Sequence, residues 1–344
     1  MSEETLAAGV GGPLAVVGAG AWGAVLAWLL GRDGRPVALW MRDEGQARRW
    51  RDERIDPKGR TVLSLPESVR PTASLDDALN GAAGVFLVVP NAALETSLRQ
   101  LARVVPRDAV LVSCLKGLFA PDLAGPSRYI ARGLPHAPIA VLSGPNLAAE
   151  IAAGRPAAAT VAATDAAVAE QVQLWTNSDR FRVYRSEDPI GTEVAGAYKN
   201  VIALAAGMSD ALRLGENAKA ALITRGLAET VRLGRHLGGR TRTFYGLAGV
   251  GDLIATCATS ASRNHQAGAR IASGESAESL LAEGWTVEGL GTVRAVASYA
   301  GRHRLRLPIA AQVAAVAFEG RPADVALDAL LASDPRAEWE AESG

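Results

Sequence analysis

The sequence predicts an α/β fold in two parts, a doubly wound sheet first and an all-helical part after it. Three observations carry this. An apolar, partly β-branched strand, Leu14-Ala-Val-Val, runs straight into Gly18-Ala-Gly20-Ala-Trp-Gly23, and an apolar helical pattern follows at once. Short β-branched runs then alternate with helical patterns to about Ser186, the order expected of a parallel sheet covered on both faces. After Asp188 the alternation stops, and alanine-rich helical faces follow without a strand. Strand, GxGxxG and helix in that order form a dinucleotide-binding fingerprint. The first part is therefore a Rossmann-type domain over 13–187, and the second an all-helical domain over 188–333, the expected side for the substrate.

The glycine-rich turn comes first. Gly18 permits the tight turn, Gly20 leaves the backbone open to a pyrophosphate, and Gly23 lets the helix pack close to the strand. The pyrophosphate then rests on the unpaired N–H groups of the helix N-terminus. Strands are predicted over 14–18, 36–40, 85–89, 109–113, 139–143, 158–162 and 181–184, with helices between them over 92–104, 147–153 and 166–176. The stretch 56–72, with Pro57, Gly59, Pro66 and Pro71, reads as loop with one short strand at most. Ser186-Glu-Asp-Pro189 is polar and reads as the hinge, with Pro189 suited to a first helical turn. Helices are predicted beyond it over 190–209, 217–237, 262–273, 293–300 and 309–320. Residues 1–12 read as a loose leader, and 333–344, with four acids and one Arg, as a solvated tail.

Composition narrows the function. Of 344 residues, 49% are hydrophobic and 21% charged, with a net charge of zero. That balance is ordinary for a globular chain and points away from nucleic acid and anionic membranes as partners. Cys114 and Cys257 lie far apart, and the four histidines show no ligand spacing, so no metal site is expected. No basic leader and no long apolar run is present, which predicts a cytoplasmic protein without a membrane span. A small-molecule substrate and a homodimeric assembly complete the expectation.

The candidate chemical residues lie at strand ends and helix starts, because ligands of open α/β sheets bind beyond the carboxyl ends of the strands. The strand at 109–113 leads to Lys116, a cation at the cofactor crevice or a plain surface lysine. The strand at 139–143 leads to Gly144-Pro-Asn146. Lys199 stands on a helix with Ala195, Gly196 and Ala203 around it, a strip of small residues that lets something approach. The bland reading is a lysine at the edge of a helix contact. Gly246, Gly249 and Gly251 precede Asp252, and Ser262-Arg263-Asn264 opens a later helix. Asp252 and Ser262 could be mere caps, but a helix start offering Ser, Arg and Asn is also an anion site. The second strand runs to Arg42, where NAD-preferring sites usually place an acid. A guanidinium there suits a 2′-phosphate, so NADPH is expected to be preferred and NADH accepted, with Asp43 adjacent.

In this order the pieces GAGAWG, Ser143-Gly-Pro-Asn-Leu-Ala, Tyr198-Lys-Asn-Val-Ile-Ala, Ala220-Ala-Leu-Ile-Thr-Arg-Gly-Leu-Ala-Glu229, Gly246-Leu-Ala-Gly-Val-Gly-Asp-Leu and Ser262-Arg-Asn resemble bacterial-type NAD(P)-dependent glycerol-3-phosphate dehydrogenase over nearly the whole chain. The resemblance implies NAD(P)H-dependent reduction of dihydroxyacetone phosphate to sn-glycerol 3-phosphate, the backbone of phospholipids. It implies that Lys199 is the catalytic proton donor and acceptor. Lys116 then touches substrate and cofactor, and Gly144, Asn146, Asp252, Ser262, Arg263 and Asn264 contact substrate. Ala148, Arg263, Thr286 and Glu288 join Gly18, Gly20, Ala21, Trp22, Gly23 and Arg42 on the cofactor. Asn146 stands where many members have Thr or Ser, and the continuation after Glu288 departs from the usual pattern. A β-hydroxyacid dehydrogenase is the alternative enzyme, requiring a carboxylate site instead of a phosphate site. A catalytically silent NADPH-binding sensor is the alternative of another class, and it has no use for Lys199, Asp252 and Arg263 together.

Overall fold

The computed structural model describes residues 11–54, 63–260 and 262–332. Residues 1–10 of the expected leader, the tail and part of the 56–72 loop lie outside the described residues. Eight strands form one sheet: β1 Leu14–Val17, β2 Val37–Trp40, β3 Val69–Thr72, β4 Gly84–Leu87, β5 Val110–Ser113, β6 Ile139–Ser143, β7 Ala157–Ala162 and β8 Phe181–Ser186. Their order is β3-β2-β1-β4-β5-β6-β7-β8. Val17 lies level with Trp40 on one side and Leu87 on the other. The order reverses at β1, so a crevice opens at its carboxyl end, beside the glycine turn.

Within the 56–72 stretch, Arg70 and Pro71 lie in the one short strand allowed there, β3, paired parallel to β2. It is an edge strand, where a residue without an N–H is tolerated; Arg70 and Pro71 break the apolar run that would have marked it. The strand β7 runs antiparallel to β6, with Ser143 opposite Thr160. The connection 144–156 therefore stays at the crevice end of the sheet, and Gly144, Asn146 and Ala148 with it.

Among the described residues seven α-helices accompany the sheet: α1 Ala21–Gly31, α2 Glu44–Glu53, α3 Leu75–Leu79, α4 Leu94–Leu101, α5 Pro126–Gly133, α6 Ala148–Ala152 and α7 Ala166–Thr176. Buried residues form one apolar cluster around β1, α1 and α7 and another around β4, β5 and α4.

The second part is helical throughout its described residues. It comprises α8 Pro189–Ala211, α9 Gly215–His236, α10 Thr241–Phe244, a π-helical turn Leu247–Gly251, α11 Asp252–Cys257, α12 Arg263–Ala272, α13 Ala277–Ala282, α14 Glu288–His303, α15 Pro308–Phe318 and α16 Ala323–Leu331. The short α10, α11 and α13, and α16, carry too few turns for a periodic signal. The helix expected over 293–300 begins earlier, at Glu288. Asp188 caps α8 by accepting from the Gly191 N–H, and Pro189 occupies its first turn, which gives the hinge a physical start. The whole run from Gly191 to Ser209 is buried, as a helix with apolar residues on every side must be. Glycines let its neighbour come close. A Cβ at Gly207 would lie 1.9 Å from the His265 carbonyl oxygen, and one at Gly268 2.0 Å from that of Leu204. Among the described residues no helix is long and apolar enough to cross a membrane.

Candidate active site

The turn after β1 has the shape a dinucleotide needs. Gly18 takes φ +118, and a Cβ there would stand 2.5 Å from the Val88 carbonyl oxygen. A Cβ at Gly23 would lie 1.8 Å from the Gly18 carbonyl oxygen, so only glycine lets α1 sit this close to the turn. At Gly20 a Cβ would meet nothing within 4 Å. That open side faces out where α1 begins, and Gly20 itself caps the helix without a side-chain bond, leaving the N-terminal N–H groups of Ala21 and its neighbours for an anion. The Trp22 ring turns inward instead, 6.1 Å from the Phe181 ring, so its ring helps to seal the core. Arg42 is exposed just beyond β2. Its neighbour Asp43 caps α2, accepting from the Gln46 N–H at 2.5 Å. The acid adjacent to Arg42 is thus already engaged, while Arg42 itself is exposed.

Across the crevice, one carboxylate gathers two lysines. Asp252, 1% exposed, accepts from Lys199 Nζ on Oδ1 at 2.6 Å and from Lys116 Nζ on Oδ2 at 2.5 Å. Lys116 Nζ also donates to the Gly144 carbonyl at 3.1 Å, and Lys199 Nζ to the Thr256 hydroxyl at 2.7 Å. Lys199 is 8% exposed. Burial pulls its ammonium pKa down to about 8; Asp252 opposes that shift, and the charge of Lys116 adds to it. Asp252 opens α11 directly after the π turn, and its side chain serves the lysines rather than the helix start.

The remaining candidates fall into two groups. Asn264 joins the network: its Nδ2 donates to Asn200 Oδ1 at 2.9 Å, and its Oδ1 accepts from the Gly289 N–H at 2.9 Å. It therefore ties the residue after Lys199 to the residue after Glu288. Glu288 is half-buried at the start of α14. Burial raises its carboxyl pKa, against the pull of the Lys116, Arg263 and Lys199 charges. Gly144 has φ +148 and packs on Ala159. The Asn146 Oδ1 is buried without a partner beside it. Ala148 opens α6. Other positions stand apart. Ser262 uses its hydroxyl to cap α12, accepting from the His265 N–H at 3.4 Å. Arg263 is exposed, because it sits on the outward side of the first turn of α12. Thr286 is exposed on the approach to α14.

Two site residues are absent from the sequence reading. Thr256 lies one turn beyond Asp252, a spacing that could have flagged it. Asn200 follows Lys199 directly, and its Nδ2 is buried without a partner; only the packing reveals that.

Comparisons with known proteins identify the family. Residues 13–169 match the NAD-dependent glycerol-3-phosphate dehydrogenase N-terminus, and residues 188–328 the C-terminus. A glycerol-3-phosphate dehydrogenase [NAD(P)+] of Halorhodospira halophila is 42% identical over 95% of this chain and 98% of its own. One from Rhodospirillum rubrum is 41% identical over 96% and 95%. The crystal structure of glycerol-3-phosphate dehydrogenase from Coxiella burnetii superposes with a TM-score of 0.89 at 34% identity, covering 94% of this chain and 100% of that one.

Proposed function

We propose a reaction from the premise that this chain belongs to the NAD-dependent glycerol-3-phosphate dehydrogenase family. The chain is an NAD(P)-dependent oxidoreductase that reduces dihydroxyacetone phosphate reversibly to sn-glycerol 3-phosphate for phospholipid synthesis. Residues 13–187 hold the cofactor and 188–333 supply the substrate site. The observation that carries the reading is Asp252 holding Lys116 and Lys199 on its two oxygens.

A bound nicotinamide supplies the hydride that reaches the C2 carbonyl carbon. The oxygen of that carbonyl then needs a proton, and Lys199 gives it. A free lysine, near 10.4, holds its proton too tightly for efficient transfer at neutral pH. Burial brings Lys199 to about 8, so it remains protonated yet gives up its proton readily. Asp252 and Thr256 aim the ammonium. Both Asp252 oxygens are occupied by lysines, so aiming is its main task, and a substrate hydroxyl would have to share it. Lys116 adds a second cation beside the reacting oxygen. In the reverse direction neutral Lys199 takes the proton back.

Arg263, exposed beside Asn264 and close enough for its charge to act on Glu288, would meet the substrate phosphate, with Ser262, Gly144 and Asn146 lining the approach. The glycine turn takes the pyrophosphate. Ala148, Thr286 and Glu288 extend the cofactor side, and Arg42 meets the 2′-phosphate. The proposed assembly is a homodimer. The proposed setting is cytoplasmic, where free thiols such as Cys114 and Cys257, both buried, stay reduced.

One assay tests the reading: NADPH oxidation with dihydroxyacetone phosphate, with a 3-oxo acid, and with neither. Turnover only with the first supports it. Turnover with the 3-oxo acid alone makes the chain a β-hydroxyacid dehydrogenase, and binding without turnover makes it a sensor.

A further inference from the structure

Glu193 is a buried carboxyl that the chemistry above leaves unused. It stands on α8, six residues before Lys199, and is 4% exposed. Its Oε1 accepts from the Ser127 N–H at 2.7 Å and its Oε2 from the Ser127 hydroxyl at 2.7 Å. Ser127 lies in the first turn of α5, just after the capping Gly125. Gly125 makes room for the carboxyl, since a Cβ there would lie 2.1 Å from Glu193 Oε2.

The start of α5 is also the far end of the segment that leaves β5 and carries Lys116. Within that segment the Phe119 N–H donates to the Ala124 carbonyl at 3.0 Å, closing it into a compact loop. The near end meets the same helix: a Cβ at Gly196, one turn after Glu193, would stand 3.7 Å from Lys116 Cγ. So α8 grips the Lys116 segment at both ends, with a carboxyl at one and a glycine at the other.

We propose that Glu193 is a positioning residue that sets where Lys116 stands relative to Lys199. The proposal rests on the roles given above to those two lysines. Burial raises the Glu193 carboxyl to about 7, with the Ser127 hydroxyl and N–H pulling the other way. The tie does not depend on the proton. When Glu193 is protonated, the Ser127 hydroxyl can turn to accept from it. A carboxamide can keep both contacts in the same way.

The test compares Glu193→Ala and Glu193→Gln with wild type. Four quantities are measured: kcat, KM for dihydroxyacetone phosphate, NADPH affinity by fluorescence, and the pH at which kcat/KM declines. Glu193→Ala should lower kcat/KM about tenfold or more, because small misplacements of catalytic groups are costly. NADPH affinity should change by less than about twofold, as no Glu193 contact reaches the turn that holds the pyrophosphate. The alkaline limb should move up by roughly half a unit or more, since a displaced Lys116 charge no longer depresses Lys199 as strongly. Glu193→Gln should return close to wild type on all counts. In a Lys116→Met background, Glu193→Ala should move the limb no further. If Glu193→Ala fails to fold, Gly125→Ala, which crowds the same carboxyl, carries the same expectation. A folded Glu193→Ala or Gly125→Ala enzyme with lowered Tm but unchanged kcat/KM and an unchanged limb overturns the proposal and leaves Glu193 a cap for α5. Full activity in Lys116→Met and Lys199→Met would instead overturn the roles of the lysines themselves.

Discussion

Gly196 on α8 and Ser143 at the end of β6 meet so closely that a Cβ on the glycine would stand 2.7 Å from the serine Oγ. This contact sets how near the helix of Lys199 comes to the sheet edge of Lys116. Alanine is the better helix former by roughly 1 kcal/mol, so the glycine is kept for closeness. Gly196→Ala should therefore lower kcat by at least about tenfold through displacement of the lysine pair. The Ser143 hydroxyl has no hydrogen-bond partner, and its Cβ is 3.8 Å from the added methyl position. Adding Ser143→Ala should then restore most of the activity. Steady-state kinetics of the single and double variants check this, and a double variant as slow as Gly196→Ala refutes it.

Lys199→Met should cut kcat by ~10²–10⁴-fold, the range for general-acid help, with NADPH binding intact by nicotinamide fluorescence. Lys199→Arg should not rescue, because a guanidinium keeps its proton near neutral pH. A Lys199→Met enzyme with more than about a tenth of wild-type kcat moves the proton donor to Lys116 or water.

The pH dependence has a definite sign. With Lys199 as the proton donor proposed above, reduction would need its ammonium form, whose pKa is brought to about 8. The kcat/KM for dihydroxyacetone phosphate should be flat near neutrality and fall as pH rises through 8. Oxidation of glycerol 3-phosphate needs the neutral amine, so its kcat/KM should rise over the same window. Profiles in both directions, with cofactor saturating, measure this; two limbs of the same sign would exclude Lys199 as the titrating group.

Arg42→Ala should raise KM for NADPH about tenfold, equivalent to one charge-assisted contact of ~1.4 kcal/mol, and leave NADH nearly unchanged. Asp43 supports this preference because its side chain is engaged in capping α2. Equal effects on both cofactors would remove Arg42 from the 2′-phosphate site.

Arg263→Ala should lower kcat/KM for dihydroxyacetone phosphate by about 10–100-fold, the value of one hydrogen-bonded charge. Unphosphorylated dihydroxyacetone should be a poor substrate and indifferent to the change. Wild-type efficiency in the variant would shift the anion site to Lys116.

The dinucleotide turn and most strands were legible in the sequence because their signals are local. Gly18, Gly20 and Gly23 are spaced by the needs of a single turn, and an apolar β-branched run declares itself within a few residues. The helical second part, Pro189 at the start of α8 and Lys199 among small residues were legible for the same reason. Packing decided the rest. The edge strand β3 carries Pro71, and nothing local tells that it completes a sheet. The direction of β7 depends on whether the connection after β6 crosses the sheet or stays at its carboxyl end. The meeting of Lys116 with Asp252 spans 136 residues of chain, and that of Lys199 with Thr256 spans 57. Arg263 has the residue type of an anion contact, but its exposure depends on how α12 turns against α8. Residue type and periodicity determine which elements form and which side chains are chemically able. Their convergence on one carboxylate, and the burial that brings Lys199 to about 8, arise only when α8 closes on the sheet, because desolvation and charge proximity belong to the packed molecule.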